Sequence, residues 1–328
     1  MKMKLGIHQK IIIAIAGIVL LVVLYMNVAS YLKAAESLRN KINQNVTTKM
    51  EYLNEKVSNF FAKREVLLNT EASYIAKKLT EARNDEITEH LRQQYTSLKK
   101  EYGMIDIYVG FPDGTMESGA GWHSKEADLK FNERPWYIEA EKKKEEIAYT
   151  EVYIDVHSNT PVVTMSKLLK NEEQTAVLSI DISLLQLIKL LENEKLGENG
   201  YPFILDKEGR FIVHPQYTFH QDIAQADTIF NVSKGNLKEL GSNLLSNEME
   251  MYRAAYQGNQ KIYLSKKLGN TDFYLIAGLD QRDMRVQLNM ILAHNIFISG
   301  IAILSFILML LLFKRPIPGV ADKNDHKS

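Results

Sequence analysis

The sequence predicts an α+β chain: a long N-terminal helix, then two modules with antiparallel sheets, flanked by two membrane-spanning helices. Three observations carry this prediction. Two uncharged apolar runs stand near the ends of the chain, at 11–26 and 296–313. The stretch from 33 to 100 contains neither proline nor glycine. One strand–turn–strand pattern occurs twice, starting at Ile107 and again at Phe203.

The apolar runs come first. "IIIAIAGIVLLVVLYM" begins at Ile11, and its apolar character continues to Leu32. "IFISGIAILSFILMLLLF" fills 296–313. Each approaches the roughly 20 residues that cross a bilayer as a helix. No A-x-A cleavage site of a signal peptide follows the first, which is read as a span over 11–32. Lys2, Lys4 and Lys10 precede it, and Lys314 and Arg315 follow the second span. Positive flanks stay inside. The expectation is a two-pass protein of the cell membrane, with 1–10 and 314–328 cytoplasmic and the mass between the spans outside.

Between the spans, 33–100 reads as one helix. Leu38, Ile42, Val46, Met50, Leu53, Val57, Phe60 and Phe61 recur at spacings of three and four, giving a single apolar stripe. That stripe is also a candidate homodimer seam. After Gly103, "MIDIYVGFPDGTMESG" reads as strand, Pro-Asp-Gly turn and strand. "AYTEVYIDV", "TPVVTMSKLL" and "QTAVLSIDIS" continue a first module over 101–195. "LLQLIKLLENEKL" is a joining helix. "YPFILDKEGRFIVHP" repeats the hairpin and opens a second module over 196–280, continued by "MEMYRAAYQG", "QKIYLSKKL" and "FYLIAGLD". Residues 281–295 return to helix as a stalk for the second span.

Composition narrows the function classes. Of 328 residues, 45% are apolar, enough for a sizeable core. Lys+Arg and Asp+Glu number 40 each, so no global field draws nucleic acid, and no nucleic-acid partner is expected. With no cysteine, disulfides, thiolate metal sites and cysteine nucleophiles are excluded. His157, His214 and His220 lack metal-ligand spacing. "GAGWHS" is no dinucleotide loop, and no P-loop, G-x-S-x-G or H-E-x-x-H occurs. "EKKKEE" at 141–146 reads as a solvated helix face. No metal, cofactor or catalytic residue is expected, and the chain is not read as an enzyme.

The stretch that invites chemistry is "FNERPWYIEA", 131–140. Pro135 suits the first turn of a helix. Arg134 beside Trp136 and Tyr137 has two readings: a guanidinium stacked on a half-buried ring, or a carboxylate grip walled by aromatic rings. The residues alone leave both open.

The order of span, long helix, two modules and span, together with "RPWY", "YID", "LSIDISL" and "GENGYPFILDKEGRFIVHP", resembles the double Cache sensor domains of bacterial chemoreceptors and sensor kinases. The resemblance covers roughly residues 33–290. It implies two PAS-like modules, with a small extracellular ligand held in the membrane-distal one and the signal passed through the helices. A subset of that family binds amino acids through a recurring residue set. Arg134, Trp136 and Tyr137 match its R-x-W-Y element, Tyr153 and Asp155 its Y-x-D element, and Asp181 its final aspartate. One departure stands out: five residues before the arginine, where the family carries tyrosine, this chain has Leu129.

The resemblance thus implies that Arg134 takes a ligand carboxylate with paired donors. Asp155 and Asp181 take the ammonium, and Tyr137 and Tyr153 add hydroxyls. The expected ligand is an amino acid or related amine. Family members continue past the second span into signalling modules. The fifteen residues of 314–328 cannot hold a kinase, a cyclase or a methylated coiled coil. Signalling is therefore expected to need a separate membrane-bound partner. The alternatives are a truncated or split-gene receptor and a binding ectodomain without output.

Overall fold

The computed structural model describes residues 7–79, 85–122, 130–171, 174–222, 224–235, 237–246, 249–256 and 258–313. It divides into two compact units, one comprising 1–44 with 282–328 and the other 45–281.

In the first unit, the N-terminal part of α1 (Ile7–Lys78) carries the first apolar run, and α6 (Gln281–Phe313) carries the second. Both are long and apolar enough to cross a membrane. Their lipid-length segments meet through a polar seam. The Asn27 amide donates to the Val23 carbonyl at 2.7 Å and to the Ser299 hydroxyl at 2.6 Å. Ser299 in turn donates to the Asn295 carbonyl at 2.7 Å. In hydrocarbon such groups must find partners within the protein, so this seam fixes which helix faces touch.

In the second unit, the apolar stripe of α1 is buried at Val46, Met50, Leu53, Val57 and Phe61 and continues through Leu68, Ala72 and Ile75. From Val46 onward the stripe is therefore packed within the chain. The single helix expected over 33–100 is instead two. α1 ends at Lys78, and α2 (Asp85–Tyr102) starts anew. The termini carry the charges a helix dipole favours: Lys77 and Lys78 in the last turn of α1, Asp85 and Glu86 in the first turn of α2. Glu71 pairs with His90 at 2.6 Å and Lys78 with Glu86 at 2.8 Å, so α2 runs back antiparallel along the end of α1. Tyr74 stacks on His90 with ring centroids 4.1 Å apart.

The first module is an antiparallel sheet in the order β2-β1-β6-β5-β3, with β4 pairing β5 off that path. Its strands are β1 (Met104–Gly110), β2 (Met116–Ser118), β3 (Ala148–Tyr149), β4 (Tyr153–Ile154), β5 (Pro161–Lys170) and β6 (Thr175–Ser183). The second module follows with β7 (Tyr201–Asp206), β8 (Phe211–Val213), β9 (Met251–Tyr256), β10 (Asn259–Lys267) and β11 (Phe273–Asp280), ordered β8-β7-β11-β10-β9. The two orders are the same topology, so the repeated hairpin is the visible part of a repeated fold. Both hairpins turn on a glycine of positive φ, Gly114 at +85° and Gly209 at +77°. α4 (Leu184–Leu191) joins the modules, with the Ser183 hydroxyl accepting from the Leu185 amide at its N-terminus.

Each sheet buries one face under its own helix. In the first module, α3 (Pro135–Lys143) lays Trp136, Tyr137 and Ala140 over Tyr108, Met116 and Val177. In the second, α5 (Lys238–Ser246) packs Leu240 and Leu244 among Phe203, Phe211, Tyr256 and Tyr263.

Candidate functional site

Strand register builds the site. On the α3 side of the first sheet, Asp106 of β1 lies opposite Asp181 of β6, and Asp181 lies opposite Thr164 of β5. One step along, Tyr108, Ser179 and Ser166 form the next row; beyond it come Gly110, Val177 and Leu168. A polar row thus crosses three strands where the apolar cover of α3 ends. The β1–β6 register shifts between Met104 and Asp106, a bulge-type irregularity. That shift lets the consecutive residues Ile105 and Asp106 both reach the pocket.

The pocket is lined by Asp106, Tyr108, Met116, Trp122, Phe131, Arg134, Trp136, Tyr153, Asp155 and Asp181, with Ile105, Val156 and His157 at its edge. Asp181 is its buried acid. Through Oδ1 it accepts from the Tyr108 hydroxyl at 2.9 Å and the Thr164 hydroxyl at 2.5 Å, with the Tyr153 hydroxyl at 3.5 Å. Its Oδ2 takes no hydrogen bond among the described residues. Burial pushes the Asp181 carboxyl up to about 7; the hydrogen bond from Thr164 offsets part of this, and nearby Asp155 and Asp106 add to it.

Asp106 is employed differently. Its Oδ1 accepts from the Ile107 and Ala120 amides at 2.7 and 2.9 Å, and its Oδ2 from Ser118 at 2.6 Å. Both oxygens are thus committed to holding the chain beyond β2. Burial raises it to about 6 despite those donors.

Arg134 sits at the N-cap of α3 with extended backbone, and Pro135 occupies the first turn. Its half-buried guanidinium lines the pocket and has no carboxylate or carbonyl partner among the described residues. Trp136 is anchored from two sides. Its carbonyl accepts from Ser166 at 2.8 Å, and its ring meets Tyr108 edge-on at 4.9 Å. Asp155 is half-buried, and its Oδ2 accepts from the Ser158 amide at 2.6 Å. Trp122 closes the apolar side, edge-on to Phe131 at 5.2 Å and 5.7 Å from the His157 ring.

Of the six residues singled out from sequence, Arg134, Trp136, Tyr153, Asp155 and Asp181 converge on this pocket. Tyr137 does not line it. As the neighbour of Trp136 on α3 it turns into the core, 2% exposed, against the Gly110 backbone. Leu129 lies outside the described residues. Sequence reasoning missed Asp106, Tyr108, Thr164, Trp122 and Phe131. A signal was present for Asp106, a lone charge inside the apolar strand "MIDIYVG".

Of the three histidines weighed as metal ligands, His214 is enclosed by Tyr201, Phe203, Phe211 and Tyr217. Its Nδ1 accepts from the Gln216 and Tyr217 amides, and burial lowers it to about 3. Among the described residues, no group of three or more His, Asp or Glu side chains converges as a metal site.

Comparisons with known proteins agree with this architecture. The chemotaxis receptor McpA of Bacillus subtilis is 23% identical over 218 residues, covering 64% of this chain and 31% of the receptor. PctB of Pseudomonas aeruginosa is 23% identical over 311 residues, covering 94% of this chain and 46% of the receptor. This chain thus spans between about a third and a half of the length of these relatives. Among solved structures, the ligand-binding domain of the Pseudomonas fluorescens chemoreceptor CtaA in complex with L-serine superposes with a TM-score of 0.60 at 20% identity, over 74% of this chain and 99% of that one. The PctB ligand-binding domain with L-Arg gives 0.59 at 21%, over 75% and 97%. The family model described as Cache domain matches residues 31–288, and the chain belongs to that family, homologous to the sensory domains of methyl-accepting chemotaxis proteins.

Proposed function

We propose that this chain is a two-pass membrane sensor whose first, membrane-distal module binds a free amino acid, with no catalytic step. One observation carries the reading. A guanidinium and a buried carboxylate oxygen, of Arg134 and Asp181, both without a hydrogen-bond partner among the described residues, line one aromatic-walled pocket. An α-amino acid presents a carboxylate and an ammonium on one carbon, and this pair is complementary to both. Asp155 and the ring faces of Trp136 and Tyr153 add to the cation side. The rest of the wall (Met116, Trp122, Phe131 and Val156) suits an uncharged side chain. Asp106, its oxygens committed, supplies no counter-charge for a basic one. Solved relatives support the class, since their domains are seen with asparagine, L-serine, L-isoleucine and L-Arg.

The lysines before the first span and the Lys314–Arg315 pair after the second support cytoplasmic termini. Output through a receptor-type signalling module, in this chain or in a membrane partner, completes the reading.

Arg134→Ala in the full chain separates the two halves of the clamp. It should weaken amino-acid binding about 10- to 100-fold, as expected for loss of a charge-assisted pair. Binding of amines that lack a carboxylate should be unchanged. Titration calorimetry in detergent reads both, and equal loss for the two ligand sets would remove Arg134 from the carboxylate role.

A further inference from the structure

Strand β4 and its flanking residues Glu151 and Asp155 are tied to the other module as well as to their own, where the Thr150 amide donates to the Thr164 carbonyl at 3.0 Å and the Asp155 amide to the Thr160 carbonyl at 2.9 Å. On its own sheet β4 pairs with β5 at only two positions, Tyr153 with Val162 and Ile154 with Pro161. The Ile154 amide points away from β5 and donates to Gln221 Oε1 of the second module at 3.1 Å. Three residues before it, Glu151 accepts from Arg210 Nη2 at 3.0 Å and pairs with Lys207 at 2.7 Å. These two tethers bracket Tyr153, whose hydroxyl lies 2.7 Å from Thr164 and lines the pocket.

The anchor on the far side is rigid. Arg210 is 6% exposed and Asp206 1%. Arg210 Nε donates to Asp206 Oδ2 at 2.5 Å, and its Nη1 donates to the Gln221 carbonyl at 3.2 Å. Asp206 Oδ1 also accepts from the Glu208 and Arg210 amides at 3.1 and 2.8 Å, which shapes the β7–β8 turn. A single buried guanidinium therefore joins the turn of the second module, the Gln221 loop and the pocket strand. Its planar fork can satisfy all three at once, which a lysine cannot. The half-exposed Lys207 legs add little to this geometry.

We propose that Arg210 and Gln221 are positioning residues for the ligand pocket: they set the place of the Tyr153–Asp155 strand and report its movement to the β7–β8 hairpin of the second module. This rests on the reading that the first module binds an amino acid. A ligand that draws Tyr153 and Asp155 inward pulls on Ile154 and Glu151, and through them on Gln221 and Arg210. Coupling is reciprocal, so releasing the tether also changes ligand affinity.

The test uses the full chain in detergent, with a mixture of the twenty L-amino acids as probe. Amide hydrogen exchange is followed over 151–155 and 206–213, and the thermal midpoint is followed in parallel. In the parent chain the mixture raises the midpoint and slows exchange in both segments. In Glu151→Gln with Gln221→Ala, which leaves the buried Asp206–Arg210 pair intact, the midpoint still rises but the hairpin no longer responds. Apparent affinity falls about fivefold, at the low end of measured coupling. Arg210→Lys gives the same loss of response. Hairpin exchange that ignores the mixture in the parent chain, or that slows equally in the double variant, overturns the proposal. No midpoint shift and no protection at 151–155 in the parent chain would instead remove the amino-acid reading on which it stands.

Discussion

Asp181→Asn is expected to abolish measurable amino-acid binding, a loss of about 100-fold or more. Asp181 is 3% exposed, so an ammonium bound there leaves water almost completely. Without an opposing charge that desolvation is uncompensated, and removing one partner of a buried pair costs roughly 2–5 kcal/mol. The pH dependence identifies the cause. Burial holds the carboxyl near 7, so the free pocket carries a neutral acid below that value. An ammonium prefers the ionised form. Affinity should therefore rise as pH climbs through 7, by up to about tenfold per pH unit below it, and level off above.

The contribution of Asp181 to the stability of the free chain runs the opposite way. A carboxyl raised above its unfolded value lets the folded state hold more protons. The Asp181 contribution to stability then falls as pH rises from about 4 to about 7 and changes little beyond. Asp106, raised to about 6, contributes the lower part of the same slope. In Asp181→Asn the binding slope disappears and the Asp181 share of the stability slope is lost. Calorimetric titrations and thermal melts across pH 5 to 8 read both effects.

Gly110→Ala should damage the fold and the site together. A Cβ at this position would stand 2.4 Å from Cη2 and 2.9 Å from Cζ3 of Trp136, and 3.4 Å from Tyr137. Neither ring has room to yield: both are buried, and Trp136 is fixed through Ser166 and Tyr108. Overpacking of this kind costs about 1–3 kcal/mol. For a unit of this size that lowers the melting midpoint by roughly 3–10 °C. Because α3 must shift to admit the methyl group, Arg134 moves with it, and amino-acid affinity should fall as well. A melt and a titration on the same sample check the pair. A stable variant with parental affinity would show that α3 moves without disturbing the clamp.

These predictions rest partly on residues legible in the sequence and partly on residues that were not. The hairpins announced themselves, since apolar strands flanking Gly114 and Gly209 leave few alternatives to a tight turn. The apolar stripe of α1 was equally plain. The break after Lys78 was not: "KKLTEARNDE" is rich in good helix formers and contains no glycine or proline. Its only signals are charges at the two termini, and those are worth little against propensity.

The pocket-lining residues expected from sequence were legible because two of their motifs are local. R-x-W-Y lies on one helix start, and Y-x-D lies on one short strand. Tyr108 and Thr164 reach Asp181 only through β1–β6 and β5–β6 register, which no local pattern reports. Tyr137 went the other way. It belongs to the motif by spacing, yet one residue along a helix is a turn of about 100°, enough to carry it from the pocket into the core.

The most direct measurement is the thermal midpoint of the full chain in detergent against each amino acid separately. A ligand that binds only the folded state raises that midpoint by mass action. A clear rise is expected with a subset of uncharged amino acids, lost in Arg134→Ala and in Asp181→Asn. A folded chain whose midpoint is indifferent to every amino acid, or one whose shift survives both substitutions, would contradict it.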